Sequence, residues 1–358
     1  MLHFAVERAL PEMAFHFYKT MLTFDHQKKT ILVSCLVDVG DDPEQAYQEA
    51  QRKIAHLIKK ISSSLGHSMA TPAMSASRSS LCESDTSDAA FIKLVERAQE
   101  YIQKGDAFQI VLSRCFKKTY RAKPFDVYRA LRQVSPAPYM FYLSLKDRVI
   151  MGASPERMLC VYKNKVSINP IAGTRQRLAG LNQDHDQKNE EALLSDEKEL
   201  AEHRMVVDLA RNDLGRVCDV GTVRVEELAR ATHYSHVSHL TSVVTGTLGK
   251  AYDFFDALAA SFPAGTLSGA PKIRAMQIID ELENSRRGLY GGTIGRLDYA
   301  GNFDSCISIR MASLKDGVAT IRAGAGIVYD SIPSAEAEET RQKASSLIAA
   351  INFAEGGC

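Results

Sequence analysis

From Ala89 onward, strand-like runs follow one another in groups and are broken only occasionally by a long helix. Regular strand–helix alternation would build a parallel sheet, whereas grouped strands build antiparallel sheets with helices packed on them. This order predicts an α+β fold of large, mostly antiparallel sheets packed with helices. Ala89–Lys104 reads as a helix stopped by Gly105, and Phe108–Phe116 (FQIVLSRCF) as a strand. Pro124–Val134 reads as a helix ended by the SPAP turn. Tyr139–Leu145 and Val149–Gly152 form a strand pair, and Leu159–Ile168 a hairpin. Residues 178–192 are polar and read as exposed. Thr222–Leu228, His233–His239 and Ser242–Leu248 are further strands. Tyr252–Ala260 is a helix, Pro263–Pro271 a Gly-rich loop and Lys272–Asn284 a helix. Gly288–Asp298, Phe303–Leu314 and Val318–Ile327 read as strands, and Ala335–Ile351 as a closing helix.

The pattern ahead of Ala89 is different. Phe15–Phe24 and Thr30–Val37, joined by a polar turn at Asp25–Lys29, predict a hairpin. Asp42–Leu65 predicts an amphipathic helix, with Ala46, Ala50, Ile54, Leu57 and Ile61 near one stripe. Residues 66–88 are rich in Ser, Ala and Thr, have little periodicity and read as a linker. The expected organisation is therefore a hairpin-plus-helix region at 1–65, a linker at 66–88 and a main domain at 89–358.

A net charge of +1 over 358 residues gives no reason to expect nucleic acid or an anionic membrane as a partner. No apolar run is long enough to span a bilayer, and the N-terminus lacks a signal-peptide pattern. The seven cysteines are scattered and never spaced as CxxC, which fits reduced thiols in a cytoplasm rather than a zinc site or disulfide framework.

Ser195–Asp213 (SDEKELAEHRMVVDLARND) has the marks of a helix capped by Ser195 or Asp196. Glu199 and Glu202 are three apart and share a face. If that face is buried, two inward carboxylates call for a divalent cation. If it lies in a solvated first turn, the same acids favour the helix N-terminus, and Glu199 could close a capping box with Asp196. The closing helix repeats the theme with Glu336 and Glu339, followed four residues later by Lys343; a solvent-facing ion pair is the plainer alternative. Pro263–Lys272 (PAGTLSGAPK) places small residues before a helix, so backbone N–H groups could approach an anion. Arg310 in CISIRM shares a strand face with Ser308 and suits a carboxylate partner, or else faces solvent. Gly324 and Gly326 in AGAGIV permit close backbone approach or mark a bulge. His233, His236 and His239 are three apart, the wrong spacing for one face of a strand.

Taken in order, these segments resemble one family. They are YIQKGDAFQIVLSR (101–114), GASPERM (152–158), PIAGTR (170–175), DEKELAEHRMVVDLARND (196–213), HVSHLTSVVTG (236–246), PAGTLSGAPK (263–272), RRGLYGG (286–292), DSCISIRM (304–311) and AGAGIVYDSIPSAEAEETRQK (323–343). Residues 89–355 are similar to the chorismate-binding catalytic domain of anthranilate synthase component I. The resemblance implies a lyase that converts chorismate and ammonia to anthranilate and pyruvate in tryptophan biosynthesis. Isochorismate and salicylate synthases carry a water-activating lysine where this chain has Gln109. Aminodeoxychorismate synthases commonly carry a nucleophilic lysine where it has Ala172. With neither lysine, ammonia is the implied nucleophile.

By the same resemblance, Mg²⁺ would be held by Glu202 and Glu339, with Glu199 and Glu336 as direct or water-bridged ligands. Arg310, Tyr290, Lys343 and the backbone near Gly324 and Gly326 would hold the substrate carboxylates. Thr266 and Thr174 would supply hydrogen bonds. Glu156 would act as general acid toward the departing 4-hydroxyl. His239 would help remove the C2 proton as pyruvate leaves.

The family usually has a longer N-terminal region, of which residues 1–65 are expected to be the end. Its tryptophan feedback segment, usually NPSPYMF, reads SPAPYMF at Ser135–Phe141, and the LLES segment is not found, so feedback inhibition is not expected. Unpaired apolar edges are expected to favour aggregation or completion by another polypeptide. No cysteine stands in a nucleophile-elbow context, so a separate glutamine amidotransferase subunit, component II, is the implied ammonia source. The alternatives are an aminodeoxychorismate synthase lacking its usual lysine, and an inactive remnant that only binds a partner.

Overall fold

A computed structural model describes residues 11–64, 82–176, 183–233 and 237–356. They fall into two compact units, one within Ala5–Thr71 and one from Pro72 onward. In the smaller unit, β1 (Thr20–Asp25) and β2 (Thr30–Cys35) pair antiparallel as the predicted hairpin. Asp25 closes the turn by accepting the backbone N–H groups of Gln27 and Lys28. α1 (Pro43–Ser64) follows. Met21, Leu22, Phe24, Ile31 and Leu32 of the hairpin are exposed within this unit.

In the larger unit, β3 (Cys82–Ser84), α2 (Asp88–Gln103), β4 (Gln109–Thr119), α3 (Pro124–Val134), β5 (Tyr139–Ser144) and β6 (Val149–Ser154) come first. Next are β7 (Arg157–Tyr162), β8 (Lys165–Ile168), β9 (Ile171–Gln176), α4 (Gln183–Ser195) and α5 (Glu197–Gly215). β10 (Arg224–His233), β11 (Val237–Thr247), α6 (Phe254–Ser261), α7 (Gly265–Ser268), β12 (Gly269–Ala270) and α8 (Lys272–Leu282) follow. The chain closes with β13 (Thr293–Leu297), β14 (Phe303–Ile307), β15 (Met311–Lys315), β16 (Val318–Ile327) and α9 (Pro333–Gly356).

Among the described residues, the strands of this larger unit form two seven-stranded sheets, paired antiparallel throughout. The first runs β12-β4-β16-β15-β6-β5, with β3 also on β4; the second runs β10-β11-β8-β7-β14-β13, with β9 also on β11. α9 covers the first sheet because Ala337, Thr340, Ala344, Leu347, Ala350, Ile351 and Ala354 recur at helical spacing and are buried. Small residues there let the helix lie close to β16. On the second sheet, Val207, Ala210 and Leu214 of α5 pack with Leu159, Val166 and Val244.

Among the described residues the chain passes between the sheets four times, and the two shortest crossings touch. One is Ser154–Arg157, between β6 and β7; the other is Ile307–Met311, between β14 and β15. Ser154 Oγ donates to Ile307 O at 2.7 Å, and Ile307 N donates to Glu156 O at 3.0 Å. Ala153 N donates to Arg310 O at 3.0 Å. Glu156 lies on one crossing and Arg310 on the other.

Some sequence expectations need correction. The single strand expected over Phe303–Leu314 is two strands in different sheets, and Arg310 lies between them at φ +50° rather than on a strand face with Ser308. The three strands expected over Thr222–Leu248 are two long ones. The polar stretch read as exposed has no buried residue over 186–192, but it begins a helix, α4, that was not expected. The Gly-rich loop contains α7 and β12, the latter paired with β4. Cys82–Ser84, within the expected linker, is a strand on β4, while 65–81 lies outside the described residues.

Candidate active site

The seam between the sheets gathers the chemistry. Glu156 is 7% exposed. Met158, Val206, Leu209, Ala264 and Ile307 line a small cavity shared with it. Thr266, at the start of α7, donates from Oγ1 to Glu156 Oε1 at 2.9 Å, and the Ile171 N–H also donates to the carboxylate. Burial outweighs both bonds and the nearby Lys343 charge, and pushes the Glu156 carboxyl up to about 8. It is therefore mostly protonated at neutral pH and can give up a proton.

α9 supplies the cationic and acidic side. Lys343 Nζ pairs with Glu339 and donates to Gly324 O at 2.9 Å. Arg310 Nη1 donates to Lys343 O at 3.5 Å, so the β14–β15 crossing is held against the helix. Burial pulls the Arg310 guanidinium below its ordinary value, while Glu339 and Tyr290 act the other way. Tyr290 is 8% exposed, and burial raises its phenol to about 12. Its hydroxyl closes over β16: a methyl group at Gly324 would lie 2.7 Å from Tyr290 Oη and 2.6 Å from Leu112 O. A methyl at Gly326 would meet Gln109 Nε2 at 2.8 Å. At Gly324 the close atom is a backbone oxygen, so glycine is required there by close approach; at Gly326 it is the end of the Gln109 side chain. Gln109 is buried, and its Oε1 has no hydrogen-bond partner.

Glu336 and Glu339 divide one proton. Burial, then repulsion from Glu339, pushes Glu336 up to about 7. Burial also acts on Glu339, but Lys343 outweighs it and holds that carboxyl below its ordinary value. One oxygen of Glu336 is buried without a hydrogen-bond partner.

β9 and β11 carry the histidine expected to act as base. His239 is buried on β11, opposite Thr174, with Nδ1 3.2 Å from Gly173 O. Burial pulls it down to about 4; the Gly173 carbonyl opposes that, and Arg310 and Lys343 add to it. Its imidazole is therefore neutral at neutral pH and available to accept a proton. Ala172, half-buried on β9, pairs with Leu240 and presents no side-chain nucleophile. The side chain of Thr174 and all of His236 lie outside the described residues. Asp196, not Ser195, caps α5 by accepting from Glu199 N at 3.3 Å. Glu199 reaches β9: a methyl at Gly173 would lie 3.0 Å from its Oε2. Glu202 is half-buried on the same helix.

Among the described residues, no three His, Cys, Asp or Glu side chains meet closely enough to make a ready ligand cluster. The four carboxylates expected at one metal are thus present as two pairs, on α5 and α9. This suits Mg²⁺, which takes one or two protein carboxylates and completes its octahedron with water and substrate oxygens. The unpartnered Glu336 oxygen beside Glu339 is a hard donor of that kind.

Several residues next to this site are not singled out by the sequence. His203 is fully buried on α5, with Nε2 2.6 Å from Ser242 Oγ, and Ser242 Oγ also accepts the Ala229 N–H. The buried Glu283 and Arg322, with the half-buried Arg287, stand behind Tyr290. An arginine in a β-alternation, as at Arg322, is the one signal that could have pointed there.

The fold and this seam define a chorismate-binding enzyme: the family model described as "chorismate binding enzyme" matches residues 3–349, and the chain belongs to that family. Within it, the chain is similar to anthranilate synthase component 1. It is 43% identical over 350 residues to the Bacillus subtilis protein, covering 94% of this chain and 67% of that one. It is 46% identical over 316 residues to the Aquifex aeolicus protein, covering 87% of this chain and 63% of that one. The crystal structure of anthranilate synthase component I from Streptococcus pneumoniae superposes with a TM-score of 0.80 at 38% identity, over 92% of this chain and 72% of that one. The chain therefore spans about two thirds of the length of these relatives. Among the described residues, no helix is long and apolar enough to cross a membrane.

Proposed function

We propose that this chain is the chorismate-using lyase of an anthranilate synthase, making anthranilate and pyruvate from chorismate and ammonia in the cytoplasm. The observation that carries the reading is the pairing of a protonated, buried Glu156 with a neutral His239 at one seam. An acid and a base are pushed apart in pKa by their surroundings, as acid–base catalysis needs. The absence of lysine at Gln109 and Ala172 supports ammonia as nucleophile over water or a covalent amine.

In this reading Arg310, Lys343 and Tyr290 hold the substrate carboxylates beside Gly324 and Gly326. Thr266 steers the Glu156 carboxyl, and Thr174 supplies a further hydrogen bond. Glu156 protonates the departing 4-hydroxyl while ammonia adds at C2. His239 then takes the C2 proton as pyruvate leaves and the ring becomes aromatic. Glu336 and Glu339, with Glu199 and Glu202, would hold Mg²⁺, which when bound neutralises and orients the ring carboxylate. A glutamine amidotransferase subunit, component II, is the proposed ammonia source in place of free ammonium.

The test is fluorescence-detected anthranilate formation from purified chain, chorismate, Mg²⁺ and ammonium at mildly alkaline pH. EDTA-sensitive product is expected. A folded chain that binds chorismate but releases no anthranilate, with or without an added amidotransferase subunit, would overturn the reading.

A further inference from the structure

Behind Tyr290 lies a buried three-charge node that none of the roles above uses. Glu283, whose side chain is 4% exposed, sits at its centre. Its Oε1 accepts from Ser113 N at 2.7 Å, Ser113 Oγ at 2.8 Å and Arg287 Nη2 at 2.6 Å. Its Oε2 accepts from Arg287 Nε at 3.0 Å and Arg322 Nη2 at 3.1 Å. Arg322, 8% exposed, also donates to Ser113 Oγ and to the backbone carbonyls of Ser285 and Arg286.

Arg287 spends its remaining donors on two other segments. Nη1 donates to Leu267 O and Nη2 to Val111 O, each at 2.6 Å. Its guanidinium carbon stands 5.7 Å from the centre of the Tyr290 ring. The segments tied together are the ones that carry the substrate-side atoms. Leu267 follows Thr266 on α7, Val111 lies two residues beyond Gln109 on β4, and Arg322 lies two before Gly324 on β16. A half-buried, bidentate arginine has a fixed fork, so it sets distances as well as charge.

We propose that Arg287, locked by Glu283, is a positioning residue. It holds Tyr290 and the Thr266 turn at their working distance from the Gly324 strand. Its effect on turnover rests on the chorismate reading above, whereas its effect on Tyr290 does not.

Four chains decide the matter: parent, Arg287→Lys, Tyr290→Phe and the double variant. Arg287→Lys keeps the charge but loses the fork. It should raise KM for chorismate about tenfold while kcat stays within about threefold, because a misplaced binding group costs ground-state binding first. In the Tyr290→Phe background the same change should raise KM less than about threefold, the non-additivity of two groups acting through one contact. In protein with ζ-¹³C tyrosine, the Tyr290 resonance, identified by its loss in Tyr290→Phe, should move in Arg287→Lys. Full multiplication of the two KM effects, or an unmoved Tyr290 resonance, would overturn the proposal. If Arg287→Lys does not fold, Ser113→Ala removes a single hydroxyl donor to Glu283. It should move the Tyr290 resonance, and no movement there also overturns the proposal. If the parent makes no anthranilate, the functional reading fails and the resonance alone decides the positioning role.

Discussion

Replacing Glu156 by glutamine separates acid catalysis from structure with nearly no change in shape. In the parent, burial takes the carboxyl from 4.5 to about 8. At pH 7 about nine-tenths of the chains then hold the proton, on the order of 300-fold more than for an unperturbed glutamate. Glutamine cannot give a proton, so kcat should fall about 10²–10⁴-fold, the range for a general acid. The same shift makes a stability prediction of definite sign. An acid whose folded value is raised keeps its full contribution at low pH and loses it as pH rises from about 4.5 through about 8. The lost contribution approaches about 5 kcal/mol above pH 8. The Glu156→Gln variant carries no such loss, so its stability relative to the parent should climb with pH over that window. Two measurements are needed: anthranilate fluorescence, with rates divided by the free ammonia concentration, and urea melts at pH 5, 7 and 9. The parent profile should fall above about pH 8. Turnover of the variant within about threefold of the parent, or a stability difference flat with pH, would refute the protonated-acid assignment.

Other outcomes follow from the same contacts. Thr266→Val removes a bond that lowers the Glu156 pKa, so the basic limb should move to higher pH while kcat falls about tenfold; pH–rate profiles check both. His239→Ala should leave chorismate binding intact yet accumulate the C2-amino intermediate, detectable by chromatography of quenched reactions; the parent rate without accumulation would remove His239 as base. Gly324→Ala places a methyl 2.6 Å from Leu112 O, and should cost about 1–3 kcal/mol in chemical melts and raise KM for chorismate. Glu339→Gln should raise the Mg²⁺ concentration for half-activity by at least about tenfold, read by titrating metal into EDTA-treated protein.

Much of this was legible in the sequence. α2 and α3 carry clear apolar periodicity, and β4 and β16 are apolar runs long enough to be central strands. Site residues were legible chiefly through spacing within named motifs, and the contacts of Glu156 with Thr266 and of Lys343 with Glu339 and Gly324 bring several of them together. What failed did so for physical reasons. α4 has a weak apolar face, so periodicity gives no helix signal. Between Phe303 and Leu314 the apolar pattern continues across Ile309–Arg310, although the backbone turns there with Arg310 at φ +50°. Pattern reports burial on either side of a break, not the break itself. The Glu283 node was hard to see because Glu283 and Arg287 look like any helix-spaced ion pair, while Arg322 and Ser113 join them from far away in the sequence.

The repeated crossing between sheets bears on how the molecule is made. Ile110 on β4 pairs with Ile327 on β16, and β12 reaches the opposite edge of β4 from a third part of the chain. Neither sheet is contiguous in sequence, so a nascent chain leaving the ribosome cannot close its central strands as it emerges. β4 must wait, one edge bare, for β16. Folding should therefore be slow and exposed to mispairing, as for other topologies dominated by distant contacts. The acidic pair and Lys343 lie on α9, which follows every strand of both sheets in the chain. The proposed site is thus incomplete until α9 has been made and docked.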